Sequence, residues 1–486
     1  MVDRRVFAPG IDFGKLRAEL GLVAEFGSEV EAAAATAVDR YADARIDRSD
    51  LELVTVDPPG SMDLDQALRV VADDDGYLVH YAIADVAALV EPGGVVDEES
   101  RRRGATIYFP DGNVPLHPRV LSEGAGSLLP EVDRPAVLWT VRVAADGEVA
   151  DVACARATVR SRARLDYAGV TADAAAGRLH PALSALPDFA AARQSWSLAR
   201  GAVMLDLPDQ DVIANDNPEH PRAWTLRLAP HTPADGWNAQ VSLLVGLCAG
   251  ALMRQAGIGF FRTLPAAEPA AVDELRRIAA TLDAQWPHGA TPGQFLATLA
   301  PDAPSTLALM SAGARLMRGA GYRAIGAEGA DSAESVTDAE LVHAGVGGLY
   351  AHVTAPLRRF ADRYATEICL AVTAGRPVDE WVLAALPGLG KVMSGADAVA
   401  NTAARNSVNL TEAVVLADQV GARFSATVLR DAAGRRPAEI FVAEPAVIAP
   451  CTPAPAAGQR CVVEVTEADP VAGVVAFAAV GDAADA

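Results

Sequence analysis

The sequence has almost no lysine: Lys15 and Lys391 are the only two in 486 residues, so nearly all of its 41 basic side chains are arginines. Arginine offers a rigid fork that meets a phosphate at two points, although a compositional bias of the genome produces the same preference. Cysteine is also sparse. Cys154, Cys248, Cys369, Cys451 and Cys461 are scattered, odd in number and never in a C-x-x-C arrangement, which argues against a disulfide framework and against a thiolate zinc site. Cys248 and Cys369 sit among apolar neighbours, where a buried and inert thiol is expected. The eight histidines form no H-x-x-x-H pair, which lowers the case for zinc further. No apolar run reaches the roughly 18 residues of a membrane span, and the two arginines near the N-terminus have no apolar stretch behind them, unlike a secretory signal. The expectation is a cytoplasmic monomer with no membrane partner.

What is present is a large apolar fraction, 51%, and a formal charge of −22. The first excludes wholesale disorder, and the length implies two or three domains. The second is awkward for a nucleic-acid partner, because phosphate binding is driven by Lys and Arg. An acidic chain can still carry a local basic groove, so the distribution of charge matters more than its sum.

Along the chain, residues 11–46 read as a helical arm, with Leu16, Leu20, Leu22, Val23 and Phe26 in helical rhythm. From Leu51 to about Arg164 the pattern becomes strand-like, with apolar runs at Tyr77–Ala84 and Ala136–Val143, and an Asp146-Gly147 turn that predicts a hairpin. In the returning strand Arg156, Arg160, Arg162 and Arg164 share parity and so share a face; this is either a basic ridge or an ordinary solvated sheet face. After Leu165 helical spacing dominates, near 183–203, 239–256, 270–284, 304–318, 356–375 and 393–418. From about Ala422 short strands return at close spacing, interrupted by a Pro/Ala-rich loop from Pro450 to Gly458, and look like a small β-barrel. Strands followed by helices indicate an α+β fold.

Two constellations carry chemistry. Asp57-Pro58-Pro59-Gly60-Ser61-Met62-Asp63-Leu64-Asp65-Gln66 places three acids in one loop between the apolar runs Leu51–Val56 and Ala67–Val71. Clustered carboxylates at a strand end suit a hard divalent cation, while Asp, Pro, Gly and Ser are also the usual turn residues. In Tyr350–Tyr364, Thr354 is expected to cap a helix whose first turn contains Pro356, and the arginines Arg358 and Arg359 just inside it could reach a phosphate. The plain alternative is a surface pair between Arg358 and Asp362, four residues apart.

Together with Tyr81–Val86 and the run Gly112-Asn113-Val114-Pro115-Leu116-His117-Pro118-Arg119-Val120-Leu121-Ser122, these two segments resemble the catalytic (RNB) domain of the ribonuclease II family, with four motifs in the family's order over roughly residues 48–415. The resemblance implies a large RNB-type catalytic domain, a mixed sheet with surrounding helices, over 48–418. It is preceded by the helical arm, 1–47, and followed by a small OB-like β-barrel, 419–486. It implies a hydrolytic exoribonuclease that degrades single-stranded RNA from the 3′ end with Mg²⁺, or Mn²⁺ in its place. By resemblance Asp57, Asp63 and Asp65 are metal ligands, Asp65 and Arg358 are catalytic, and Tyr108 stacks on the terminal base. Arg358, Arg359, Arg160, Arg162 and Arg164 are the expected RNA contacts.

The chain departs from the family at Gln66, where a fourth acid is usual, at Asn238-Ala239-Gln240, where adjacent acids are usual, and at its N-terminal part, where the family's cold-shock barrels have no counterpart. Gln66 can offer a carbonyl oxygen to the metal but no charge, so a Gln66→Asp exchange is expected to leave the rate equal or raise it. Asp85 is a candidate for replacing the missing charge. The alternative reading is a weak or inactive relative that binds RNA ends or a protein partner.

Overall fold

Alternating large and small apolar residues decide how the first half of the chain folds. In the strands Leu53–Val56, Gln66–Asp73, Gly76–Ala84 and Asp133–Ala144, Val54, Leu68, Val70, Tyr81 and Trp139 pack on one face, while Leu53, Ala67, Ala82, Ala84 and Leu138 pack on the other. Both faces are therefore buried, and each large side chain contributes roughly 1.5–3 kcal/mol by leaving water. The computed structural model describes residues 6–7, 11–214, 224–301 and 303–482.

These strands form a mixed sheet whose long strand Val149–Leu165 runs parallel to Leu53–Val56 and antiparallel to Asp133–Ala144, so that the sheet closes on itself. The short strand Ile46–Asp47 is added parallel to Val149–Leu165. The hairpin expected at Asp146-Gly147 is present, with Gly147 at positive φ.

Helices cover the large-residue face. Pro233–Ala256 and Asp362–Thr373 supply Val241, Leu244, Val245, Tyr364 and Ile368 to its core. The apolar character of Pro233–Ala256 is that of a mostly buried core helix. It begins earlier than its apolar spacing alone indicates, because Thr232 and Asp235 form a reciprocal capping box around Pro233. The longest helix, Glu380–Leu416, leads to a closed five-stranded barrel built from Arg423–Arg430, Ala438–Val442, Val447–Cys451, Arg460–Asp469 and Val474–Asp482. The fold is thus α+β with a second, small barrel, as the sequence implies. One strand, Val447–Cys451, runs into the segment expected to be loop from Pro450; the neighbouring strand Val474–Asp482 meets it only at Cys451, so Pro450, which has no N–H, is tolerated just before that contact.

The arm is less helical than expected. Its described residues form the short helices Gly14–Glu19 and Ser28–Ala35 and one turn at Ala42–Ala44, and Gly21, at positive φ, ends the first; residues 1–5 and 8–10 lie outside the described residues. All five cysteines are buried thiols outside any disulfide.

Candidate active site

The acidic loop hangs between two strands. At its start the Asp57 N–H donates to the Leu165 carbonyl, and at its end the Ala84 N–H donates to the Asp65 carbonyl. In between, the Ser61 N–H closes a turn on the Pro58 carbonyl and Gly60 takes a positive φ. Ser127 secures the middle: its hydroxyl donates to the Met62 carbonyl at 2.6 Å and accepts the Leu64 N–H at 3.0 Å. Leu64 is fully buried between Asp63 and Asp65, so the two carboxylates are held by an apolar anchor rather than by their own turn. None of this clamp is visible in the loop's own sequence.

The arginine segment does not begin a helix at Thr354. Residues 354–361 form an irregular turn and the helix starts at Asp362: the Phe360 N–H donates to the Gly104 carbonyl instead of back along the turn, and two carboxylates take up N–H groups that the turn leaves free. Asp362 accepts the Ala355 N–H at 2.7 Å, and Asp65 accepts the Leu357 N–H at 2.7 Å. Asp362 also takes Arg359 in a two-pronged pair at 2.9 and 2.8 Å. The surface pair expected between Arg358 and Asp362 is therefore absent, and Arg358 faces Asp65 instead, 3.7 Å from its second oxygen.

A third stitch joins the two segments. The Gln66 amide donates to the Thr354 carbonyl at 2.5 Å. Gln66, Asp65, Leu357 and Thr354 thus lock the acidic loop to the turn that carries Arg358, and they do so through backbone groups that a substituted side chain on the turn would leave unchanged.

Burial governs the charge of the acids. It pushes Asp57 up to about 6, with Asp63 adding repulsion and Arg358 and Arg164 pulling the other way. Burial raises Asp63 too, and raises Asp65 well above the carboxylate range against the opposing pull of Arg358 and the Leu357 N–H. Tyr167, pushed up to about 12 by burial with Asp57 beside it, and Tyr81, hydrogen-bonded to Ser242 at 2.7 Å, line the same side. Asn238 donates to the Tyr167 hydroxyl at 3.4 Å. Neither tyrosine carries a local sequence signal of its place beside the loop.

The remaining expected residues are distributed as follows. Tyr108 lies on the hairpin Ile107–Phe109/Gly112–Val114, 49% exposed, close enough to Arg358 to favour its charge. Arg164 braces the acidic loop through the Ser61 carbonyl at 3.1 Å. Arg162 and Arg160 are successively further along the strand, bonded to the Ser49 carbonyl at 2.5 Å and to Asp133 at 2.7 Å. Arg156 is buried among Asp85, Glu367 and the Tyr41 ring, so the four arginines do not form one solvated ridge. Asp85 is consumed in the same network by Arg45 at 2.8 Å and Arg156 at 3.0 Å, and cannot replace a charge at the loop.

Among the described residues no group of three or more His, Cys, Asp or Glu side chains is gathered to hold a metal by itself. The physical reason is local: both Asp65 oxygens face groups on the arginine turn, and the Gln66 amide is turned to Thr354. The donor chemistry nevertheless fits a hard divalent cation. Asp57 and Asp63 are mutually repelling, partly desolvated oxygen donors, and a cation that is satisfied by one or two carboxylates, waters and a substrate phosphate needs no closed protein cage.

Comparison with known proteins gives the family. Residues 45–374 match the RNB domain family, and residues 422–480 match the RNase II-type exonuclease C-terminal S1 domain. Exoribonuclease 2 of Photorhabdus laumondii is 29% identical over 244 residues, 48% of this chain and 37% of that protein. Ribonuclease R of Chlamydia muridarum is 30% identical over 220 residues, 44% of this chain and 32% of its own length. The matches therefore span about a third of the length of these curated relatives. Mycoplasma genitalium RNase R, solved in complex with ribose-methylated single-stranded RNA, superposes with a TM-score of 0.79 at 19% identity, covering 96% of this chain and 77% of that one; this likeness concerns the fold.

Proposed function

Because the chain belongs to the RNB-domain family, we propose that it is a hydrolytic exoribonuclease that removes nucleoside 5′-monophosphates one at a time from the 3′ end of single-stranded RNA, with Mg²⁺ as cofactor and Mn²⁺ as a substitute. The observation that supports this most is the joining of the acidic loop to the Arg358 turn through Asp65. Three crowded acids repel a phosphate unless a cation offsets them, and an RNA-binding surface has no use for them.

In this reading Asp57 and Asp63, helped by Asp65, are the residues that would hold the cation. Bound there, it supplies Lewis acidity and an activated water. Arg358, pointing at the same place from the opposite segment, stabilises charge on the phosphoryl oxygens. Asp65 positions Arg358 as well as the loop, and Arg359 holds the turn through Asp362. Tyr108 stacks on the terminal base, which every base permits. The water oxygen joins phosphorus, the bond to the 3′ oxygen of the preceding nucleotide breaks, that oxygen takes up a proton, and the terminal nucleotide leaves with its 5′-phosphate.

The test follows labelled RNA with Mg²⁺ and with chelator. A 3′-terminal label is expected to appear as mononucleotide before a 5′-labelled strand shortens appreciably, and chelator is expected to stop both. Release from the 5′ end, or internal cleavage, contradicts the proposal.

A further inference from the structure

The hairpin that carries Tyr108 is too small to hold its own shape. It has three residues in each strand, Ile107–Phe109 and Gly112–Val114, and isolated two-stranded hairpins are marginal in water even when longer. Its alternation sends Ile107 and Phe109 inward and Tyr108 outward. The inward residues, with Val114, pack in one cluster with Ile11, Phe13 and Leu16 of the N-terminal arm.

The base and the turn of the hairpin are fixed by different parts of the chain. At the base, the Thr106 N–H donates to the Arg358 carbonyl at 3.0 Å and Ala105 bridges to Arg359. At the turn, Asp111 accepts the Phe13 N–H at 3.2 Å and both terminal nitrogens of Arg17 at 2.6 and 2.9 Å. The Arg17 guanidinium also lies 5.2 Å from the centre of the Phe109 ring. A two-pronged arginine–carboxylate pair is among the stronger and more directional contacts a side chain can make. Lys15, on the same short helix, donates to the Val471 carbonyl of the C-terminal barrel at 3.3 Å, which ties the arm to a third element.

We infer that the N-terminal arm is part of the machinery that grips the RNA end: Arg17 and Asp111 are positioning residues that hold the Tyr108 hairpin over the site. This inference rests on the proposed role of Tyr108 in stacking the terminal base. The hydrophobic contacts of Phe13 and Leu16 support the hairpin from below, and the Arg17–Asp111 pair sets the height and angle at which the Tyr108 ring is presented. Loss of the pair loosens the turn while leaving Arg358 and the acidic loop in place, so it weakens capture of the end without altering the chemical step.

The experiment uses the full chain with Arg17→Ala, Asp111→Asn, Tyr108→Ala and the swapped pair Arg17→Asp/Asp111→Arg. Two readouts are taken: kcat and KM on single-stranded RNA, and quenching of a 3′-terminal 2-aminopurine base by the protein in the Asp65→Asn background. Arg17→Ala is expected to raise KM about tenfold, in the range of one lost stacking interaction, with kcat within about twofold of the parent, and to lose the quenching as Tyr108→Ala does. The swapped pair is expected to recover part of both, since Asp111→Arg removes the acceptor of the Phe13 N–H. If Arg17→Ala fails to fold, Asp111→Asn carries the same expectation with a smaller loss. Tyr108→Ala changing both readouts while the Arg17 and Asp111 variants change neither overturns the inference and leaves the stacking role standing. No effect from Tyr108→Ala removes the stacking role, and the inference falls with it.

Discussion

Gln66 is best tested by giving it what the family usually has. From sequence, Gln66→Asp restores a metal ligand and leaves the rate equal or higher; the geometry reverses that expectation. The amide N–H bond to the Thr354 carbonyl at 2.5 Å requires a donor, which a carboxylate lacks. A neutral hydrogen bond contributes about 0.5–1.5 kcal/mol, and leaving its buried acceptor unpaired costs about 1–3 kcal/mol. An added charge beside Asp65, already burdened by burial and by Asp63, also pushes the neighbouring acids further toward their neutral forms. If the penalty falls on the arrangement of Arg358 in the transition state, about 1.4–2.8 kcal/mol corresponds to a rate loss of about 10- to 100-fold. The assay is single-turnover digestion of labelled RNA across a Mg²⁺ titration, with Gln66→Met as a companion of similar length and no donor. Both variants are expected to be slow at saturating Mg²⁺. A Gln66→Asp enzyme that equals or exceeds the parent, with half-saturation at lower Mg²⁺, refutes the reasoning and makes Gln66 a ligand position.

Asp57 gives a pH signature. Its folded-state value of about 6 lies above the ordinary 3.8, so its favourable contribution to stability is complete below about 3.8 and is lost as pH rises through about 6. Chelator-treated protein should therefore gain up to about 2–3 kcal/mol less from this group at pH 7.5 than at low pH, Asp57→Asn should flatten that part of the denaturation profile, and added Mg²⁺ should stabilise the parent increasingly above pH 6. A profile unchanged by Asp57→Asn contradicts this. The buried network of Arg45, Asp85, Arg156 and Glu367 gives a stability signature: Arg156→Met strands Glu367 and leaves Asp85 with Arg45 alone, both acids nearly inaccessible, and is expected to cost about 3–5 kcal/mol in urea unfolding. A loss below about 1 kcal/mol means that the network is not what joins the Val149–Leu165 strand to the Asp362–Thr373 helix.

The acidic loop was legible in the sequence because apolar runs on both sides forced Asp57–Asp65 into the gap between strands, with Gln66 opening the second strand. The C-terminal barrel was legible in the same way and most helices from their own apolar period, whereas the closure of the first sheet by the strands Asp133–Ala144 and Val149–Leu165 was not. What sequence periodicity missed were elements fixed by polar side chains. Thr232 and Asp235 start their helix before its apolar face begins, and the turn before another is held by the Asp65 and Asp362 carboxylates and by backbone pairing of residues 358–360 with 104–106. A partner 292 residues away in sequence leaves no local trace. The arginines illustrate the same limit: shared parity put Arg156 and Arg164 on one strand face, yet only burial separates a core ion pair from a brace on the acidic loop. The C-terminal strand through Pro450 was hidden by a residue whose usual meaning is a break.

The most direct measurement compares the parent with Asp65→Asn on 5′-labelled single-stranded RNA in Mg²⁺. Asparagine keeps an oxygen that can accept the Leu357 N–H, so the turn and RNA binding are expected to survive while the charge beside Arg358 is lost. The proposed activity requires stepwise 3′ shortening by the parent and at least a hundredfold slower shortening by the variant, with binding of RNA unchanged within a fewfold. RNA left intact by the parent at high protein concentration, but bound, contradicts it and makes the chain an RNA-end binder; equal digestion by both proteins removes Asp65 from the chemistry.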